Sequence, residues 1–255
     1  MNCANCGTSF DSKFCPHCGQ KRETKPLSFS SLWMDFQSRI YGLDGIFPRT
    51  VKDLLFRPGF VSKEFIRGNR VTYVGPVGYF FLMVALSVLL MQVTDFDFYE
   101  FSKNVTPLGG NQSELQVNIS KLLSNFVSKN FKLFKFALIP LNTFWIWLFV
   151  RKKGYNFLEC SVPSFYAQGQ LELLFMINMM GRYIFDVYFN NIVFIIEPCY
   201  YGFLFVNWFS DHKIKFFIQG VVIWILSIVT YILLIAICGI IWIFSNPEVI
   251  HSIKS

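Results

Sequence analysis

The sequence predicts an all-α integral membrane protein of about five transmembrane helices, preceded by a small N-terminal knuckle that contains four cysteines. Two observations support this fold class. Among 255 residues, 53% are hydrophobic and 31 are phenylalanine, a composition far from that of a soluble domain. The four cysteines fall at the very start of the chain, in the pattern C-x2-C-x8-C-x2-C. We therefore expect a knuckle over residues 1–22, a juxtamembrane segment over 23–74 and a helical bundle over 75–255.

The cysteine pattern is typical of a structural metal site. Each C-x-x-C pair closes a tight turn that directs two sulfurs at one ion, and two such turns complete a tetrahedron. The residues between the pairs are too few for a hydrophobic core, so the metal must stabilise this head, by on the order of 10 kcal/mol for zinc. Four sulfurs leave no coordination position for a water, which favours a structural role. The predicted ligands of a Zn²⁺ ion are Cys3, Cys6, Cys15 and Cys18, with iron or a redox disulfide pair as alternatives.

Five windows almost free of charge are each close to the ~20 residues that a helix needs to cross the hydrocarbon layer. They are residues 75–93, 133–150, 161–181, 189–209 and 216–244. The third and fourth windows contain Gln168, Glu172 and Glu197, so they are either spans that face the interior of a bundle or re-entrant segments. The longest connection, 94–130, is expected to be an external loop.

Basic residues indicate the orientation of the spans. Residues 1–74 contain eleven Lys or Arg against six acidic residues, and the second and fourth connections are also basic, at 151–153 and 212–215. Because Lys and Arg accumulate in cytoplasmic loops, the N-terminus is predicted to be cytoplasmic and the C-terminus external. Thiolate ligands also require the reducing conditions of the cytoplasm.

The juxtamembrane segment is predicted to form short amphipathic helices. Apolar residues recur at helical spacing over 29–40. A second helix is expected after Pro48, ending before Arg57-Pro58-Gly59 breaks it, and a third from Ser62 to Gly68. Such helices lie at the membrane interface or against the inner face of the bundle. Their basic residues either bind anionic lipid head groups or an acidic partner, or serve as the orientation signal alone. The candidate lipid or partner contacts are Trp33, Arg57, Lys63, Arg67, Arg70 and Tyr73.

Several motifs in this segment resemble one known family. They are Arg57-Pro58-Gly59, Phe65-Ile66-Arg67-Gly68-Asn69-Arg70 and Tyr73-Val74-Gly75-Pro76, behind a doubled C-x-x-C-G head that ends at Cys18-Gly19-Gln20. Together they look like the bacterial domain-of-unknown-function 3667 family. The resemblance implies an N-terminal zinc knuckle and a multispan body in the bacterial inner membrane. The family also leads us to expect a histidine in the third span, where this chain has Phe165-Tyr166-Ala167-Gln168-Gly169-Gln170.

Ionisable residues at membrane depth are costly and indicate function by default. Gln168 and Glu172 are one helical turn apart, and Glu197 precedes Pro198. If their faces meet, two carboxylates and an amide share one buried site that suits a cation or proton path. The alternative is that each glutamate is hydrogen-bonded to a neighbouring helix and serves packing.

The sequence therefore favours a non-enzymatic inner-membrane scaffold or accessory subunit. No nucleophile elbow, phosphate loop or paired-histidine motif occurs in it, which also disfavours a lipid-modifying enzyme. The expected partners are membrane lipids and another membrane or cytoplasmic protein. Nucleic acid is not expected, because the net charge of +7 is explained by the cytoplasmic loops. The alternative function is a small transporter or channel that uses Glu172 and Glu197.

Overall fold

The computed structural model describes residues 2–3, 6–18, 45–69, 72–97, 101, 114–185, 190–209 and 211–245. The chain divides into two compact units, a head over Met1–Phe47 and a body over Pro48–Ser255. Residues 48–74, which the sequence analysis separates from the bundle, therefore belong to the body. The expected helix over 29–40, with Trp33, lies outside the described residues, as does Arg70.

The described part of the body is helical. Its helices are α1 (Ile46–Phe56), α2 (Pro58–Ile66), α3 (Pro76–Val93), α4 (Glu114–Lys129), α5 (Phe131–Val150), α6 (Phe157–Phe185), α7 (Asn190–Trp208) and α8 (Lys213–Ser245), with a 3-10 turn at Arg151–Lys153 between α5 and α6.

Local sequence explains where several helices begin. Pro58 and Pro76 occupy the first positions of α2 and α3, where a missing N–H costs nothing and the fixed φ suits a helix. At the start of α6, Asn156 and Glu159 form a capping box. The Glu159 backbone N–H donates to Asn156 Oδ1, and the Asn156 N–H donates to Glu159 Oε2, both at 2.8 Å. Two of the unpaired N–H groups of this helix end are thereby satisfied.

Three of the described helical segments are long and apolar enough to cross a membrane: Pro76–Val93, Phe131–Lys153 and Lys213–Ile243. This finding agrees with an all-α membrane protein. The expected third and fourth spans are also continuous helices, α6 and α7, but polar residues lower their hydropathy. In α6 these polar residues include Gln168, Gln170 and Glu172, each at most 7% exposed, so they face the interior of the bundle.

Helix α6 packs against α2, α3, α5 and α7, and α8 packs against α5 and α7. Small residues allow two of these contacts to be close. A Cβ built at Gly220 of α8 would lie 2.2 Å from the Tyr201 carbonyl oxygen of α7, and one at Gly169 of α6 would lie 2.7 Å from the Tyr79 ring of α3. Close backbone approach at small residues is how helices associate where lipid offers no hydrophobic driving force.

Helix α4 lies within the segment expected to be an external loop. Its Phe126 stacks on Trp242 of α8 with ring centroids 5.0 Å apart, and it packs edge-on against Phe134 of α5 at 5.7 Å. Residues Glu114–Lys129 of this segment therefore form a helix whose aromatic side chain packs against α5 and α8.

Candidate metal site and intramembrane cavity

The four cysteines of the head come together as the sequence predicts. Their sulfurs all lie within 4.8 Å of one another, with Cys3 and Cys18 at 3.5 Å and Cys6 and Cys15 at 3.6 Å. A tetrahedron with Zn–S bonds of about 2.3 Å has edges of about 3.8 Å, so the spacing fits one ion held by four thiolates. These distances are well above the ~2.05 Å of an S–S bond, which disfavours the disulfide alternative.

The first C-x-x-C turn is built for this geometry. Gly7 takes a φ of +72°, which a side chain would oppose, and its N–H donates to the Cys3 carbonyl at 3.0 Å. The Cys3 N–H in turn donates to the Thr8 carbonyl at 2.9 Å. Hydrogen bonds with the Thr8 side chain and backbone lower the pKa of the Cys6 thiol to about 5, which favours the thiolate that a metal requires.

The juxtamembrane helices are docked on the bundle through Gly59. A Cβ at this position would lie 2.2 Å from both the Leu204 carbonyl oxygen and the Trp208 backbone nitrogen of α7. The Arg57-Pro58-Gly59 motif therefore does two things: its proline starts α2, and its glycine allows α2 to contact the α7 backbone directly.

Three of the candidate lipid or partner contacts, Arg57, Lys63 and Arg67, interact with other residues of this chain. Lys63 donates to the Trp208 carbonyl at 3.5 Å, at the C-terminal end of α7, where a cation is favoured by the helix dipole. Arg67 pairs with Glu64 at 3.3 Å, and Arg57 pairs with Asp53 at 3.0 Å. The side chains of Arg57 and Arg67 are nevertheless 51% and 62% exposed, so both remain accessible.

Tyr73 is buried at 5% exposure and is not a surface contact. Its hydroxyl donates to Asp53 Oδ2 at 2.9 Å, beside Arg57. Burial raises the pKa of Asp53, but the hydrogen bonds from Arg57 and Tyr73 outweigh it and place the pKa below its ordinary value. The stability that Asp53 contributes is therefore present above its ordinary pKa, about 4, and is lost as the pH falls through the lowered pKa of the folded state.

Tyr73→Phe is expected to destabilise the protein by about 1 to 3 kcal/mol, because the hydrogen bond to the Asp53 carboxylate is lost. Thermal unfolding of the purified protein in detergent measures the change. Tyr183→Phe is the matched control, since Tyr183 is 61% exposed. Equal melting temperatures for the two variants would show that the Tyr73 hydroxyl contributes nothing.

Inside the bundle, the structure pairs Glu172 with a residue outside the predicted site. Lys135 Nζ contacts Glu172 Oε1, and the glutamate is 1% exposed. The lysine ammonium also lies 5.3 Å from the ring centroids of Phe131 and Phe175. The signal for Lys135 is in the sequence: an ionisable residue within an apolar window needs an intramembrane partner.

A cavity of about 340 Å³ lies beside this ion pair. Its polar lining comprises Lys135, Gln168, Asn178 and Glu197, contributed by α5, α6 and α7. Gln168 and Asn178 are ten residues apart on α6, so the cavity extends about 15 Å along that helix. The structure thus brings Gln168 and Glu197 to one cavity, whereas Glu172 is held in the ion pair.

A buried polar layer adjoins the cavity at Gln168. Gln168 Nε2 donates to the Tyr201 hydroxyl at 2.7 Å, and Asn142 Nδ2 donates to the same oxygen. Asn142 and Tyr201 are both fully buried. Phe101 and Val127, from the segment between α3 and α5, line the cavity as well. Gln168 is thus part of both the cavity wall and the polar layer.

Residues 44–88 match the model of a family described as "Protein of unknown function (DUF3667)". No curated protein and no solved structure matches the chain. The matched segment comprises α1, α2 and most of α3, and it includes the Arg57-Pro58-Gly59 and Tyr73-Val74-Gly75-Pro76 motifs at the starts of α2 and α3. The predicted resemblance is therefore confirmed for residues 44–88, the segment that matches the DUF3667 model.

Proposed function

We propose that this protein is a non-enzymatic membrane scaffold or accessory subunit that docks a partner protein through its metal-binding head and juxtamembrane helices. The observation that carries the proposal is the complete set of four sulfurs within 4.8 Å. Four sulfurs fill every coordination position of a tetrahedral metal ion, and the bound ion stabilises the fold of the small head and the surface it presents. That surface presents Phe14 at 57% exposure, and exposed aromatic residues are enriched at protein interfaces.

The ion is proposed to be Zn²⁺, bound by Cys3, Cys6, Cys15 and Cys18. Cys3→Ser is expected to remove the metal and unfold the head while the spans still insert, because the head has few other sources of stability. Elemental analysis of the full-length protein should find one zinc per wild-type chain and none in the variant. Cys199→Ser, at an exposed cysteine of α7, should keep the full equivalent. Zinc retained by Cys3→Ser would refute the four-cysteine site.

Docking at the head is tested in native membranes. Phe14→Asp should dissociate the chain from its partner, seen on a native gel as a shift to the size of the chain alone. Lys13→Asp, which places the same charge on the adjacent exposed residue, should leave the complex intact. A complex that survives Phe14→Asp, or a wild-type chain that migrates alone, would contradict the proposal.

The proposed location is the bacterial inner membrane, with five spans, a cytoplasmic head and an external C-terminus. Clustering of basic residues at one end of the body supports this orientation. Lys153 Nζ lies 4.6 Å and 4.7 Å from the Phe209 and Phe216 ring centroids, and Lys63 reaches Trp208. Helices α1 and α2 also expose the apolar side chains of Leu55, Phe56 and Phe60. Such side chains suit contact with membrane lipids.

The second candidate, a small transporter or channel, is favoured by the cavity at Glu197. Transport requires an opening beyond the layer of Gln168 and Tyr201. A cysteine introduced at Gln168 tests this requirement: labelling by a membrane-impermeant thiol reagent from both faces of oriented vesicles supports transport. Labelling from one face alone contradicts it.

A further inference from the structure

Among the described residues at the cavity and its ion pair, two carboxyl groups accompany one ammonium group. Lys135 and Glu172 neutralise each other through their contact. Glu197 is a second carboxyl group at the cavity wall, on the neighbouring helix α7. Trp224 Nε1 of α8 donates to its Oε2 at 3.2 Å, and this neutral donor does not cancel a negative charge. A positively charged occupant would compensate Glu197 in its ionised form.

The wall around Glu197 is aromatic. Phe131, Phe175, Phe194, Trp224 and Tyr231 all line the cavity. Ring faces attract ammonium groups by the cation–π interaction, more strongly where water is excluded. Two of these rings already flank an ammonium, since Lys135 Nζ lies 5.3 Å from the centroids of Phe131 and Phe175.

We propose that this cavity binds a small organic cation of the substituted-ammonium class, with the Glu197 carboxylate as its counter-charge and the aromatic wall around its apolar part. The volume of about 340 Å³ lies within the range of small-molecule sites. Binding at this site does not require that a transport path opens from the cavity. This proposal does not depend on docking at the head. For the second candidate function, a small transporter or channel, it names the class of substrate.

Phenyltrimethylammonium is the probe, and tert-butylbenzene is its uncharged counterpart of the same shape. Binding of the radiolabelled cation is measured on the full-length protein in lipid nanodiscs. Saturable binding is expected, with Glu197→Gln weakening it at least tenfold. Glu159→Gln, in the capping box outside the cavity, should leave it unchanged. Ile228→Trp, which fills the cavity without changing its charge, should abolish it.

Two results would overturn the proposal. One is equal competition by tert-butylbenzene, which would show an apolar cavity with no preference for charge. The other is wild-type affinity in a Glu197→Gln protein whose melting temperature is unchanged. If Glu197→Gln fails to fold, loss of binding in a folded Ile228→Trp variant together with failure of the neutral probe to compete still supports the site. Binding without two-sided access at Gln168 would exclude transport and leave this site in place.

Discussion

Gly59→Ala is expected to destabilise the body by about 3 kcal/mol, the upper range for overpacking a tight contact. The added methyl group would lie 2.2 Å from two backbone atoms of α7, and backbone atoms do not yield as the end of a flexible side chain does. A loss of stability would itself indicate the close contact, because within an exposed helix the same change from glycine to alanine raises stability by about 1 kcal/mol. Thermal unfolding in detergent measures the loss, and proteolysis within 57–75 should increase as α2 leaves α7.

Gly78→Ala is the matched control for this contact. Gly78 lies in the interior of α3, and a Cβ there has no atom within 4 Å. Its replacement should leave stability unchanged or raise it by up to about 1 kcal/mol. If both alanine variants shift the melting temperature in the same direction, the direct contact of α2 with α7 is not a source of stability.

Lys135→Met is expected to cost about 3 to 5 kcal/mol, because it leaves the Glu172 carboxylate buried without its counter-charge. Glu172 Oε2 already has no hydrogen-bond partner among the described residues, so the lysine is the main compensation for the carboxylate. The double variant Lys135→Met with Glu172→Leu should recover most of the loss, since apolar side chains of similar volume can replace a buried ion pair. Melting temperatures of the single and double variants measure both effects.

The pairing of Lys135 with Glu172 is contradicted if the double variant is as unstable as Lys135→Met, or if the single variant melts like the wild type. Arg182→Met is a suitable control, because it removes a positive charge from the last turn of α6 without touching Glu172. It should have a smaller effect than Lys135→Met.

The start of α3 and the cysteine cluster follow from local sequence, and so they were predictable. The expected start of the third juxtamembrane helix at Ser62 was wrong, because α2 begins at Pro58. Pro76 begins α3 at the expected start of the first span, and the C-x-x-C turns need only neighbouring residues to bring sulfurs together. The resemblance over Arg57-Pro58-Gly59 is also local. The structural role of Gly59 in this motif was not predictable, because the backbone that it contacts belongs to α7, far along the chain.

Contacts between distant helices explain what sequence reasoning missed. Periodicity identifies α5 and α6 as apolar, but it does not give the rotation that sets Lys135 against Glu172. Tyr73 was predicted to be a lipid or partner contact, whereas the fold buries it against Asp53. Helix α4 was missed because it lies in a polar connection, and its apolar face is explained by Trp242 of α8.

The docking of the DUF3667 segment also sets an order of events during biosynthesis. Tyr166 donates to the Val74 carbonyl at 2.7 Å, and Tyr200 donates to the Leu54 carbonyl at 3.0 Å. Both hydroxyl groups belong to helices that leave the ribosome well after residues 44–75. This segment is therefore made before the surface that completes it, and it acquires its final structure after α6 and α7 have been inserted. A chain truncated before Tyr200 would retain the family motifs in its sequence and lack the contacts that hold them in place.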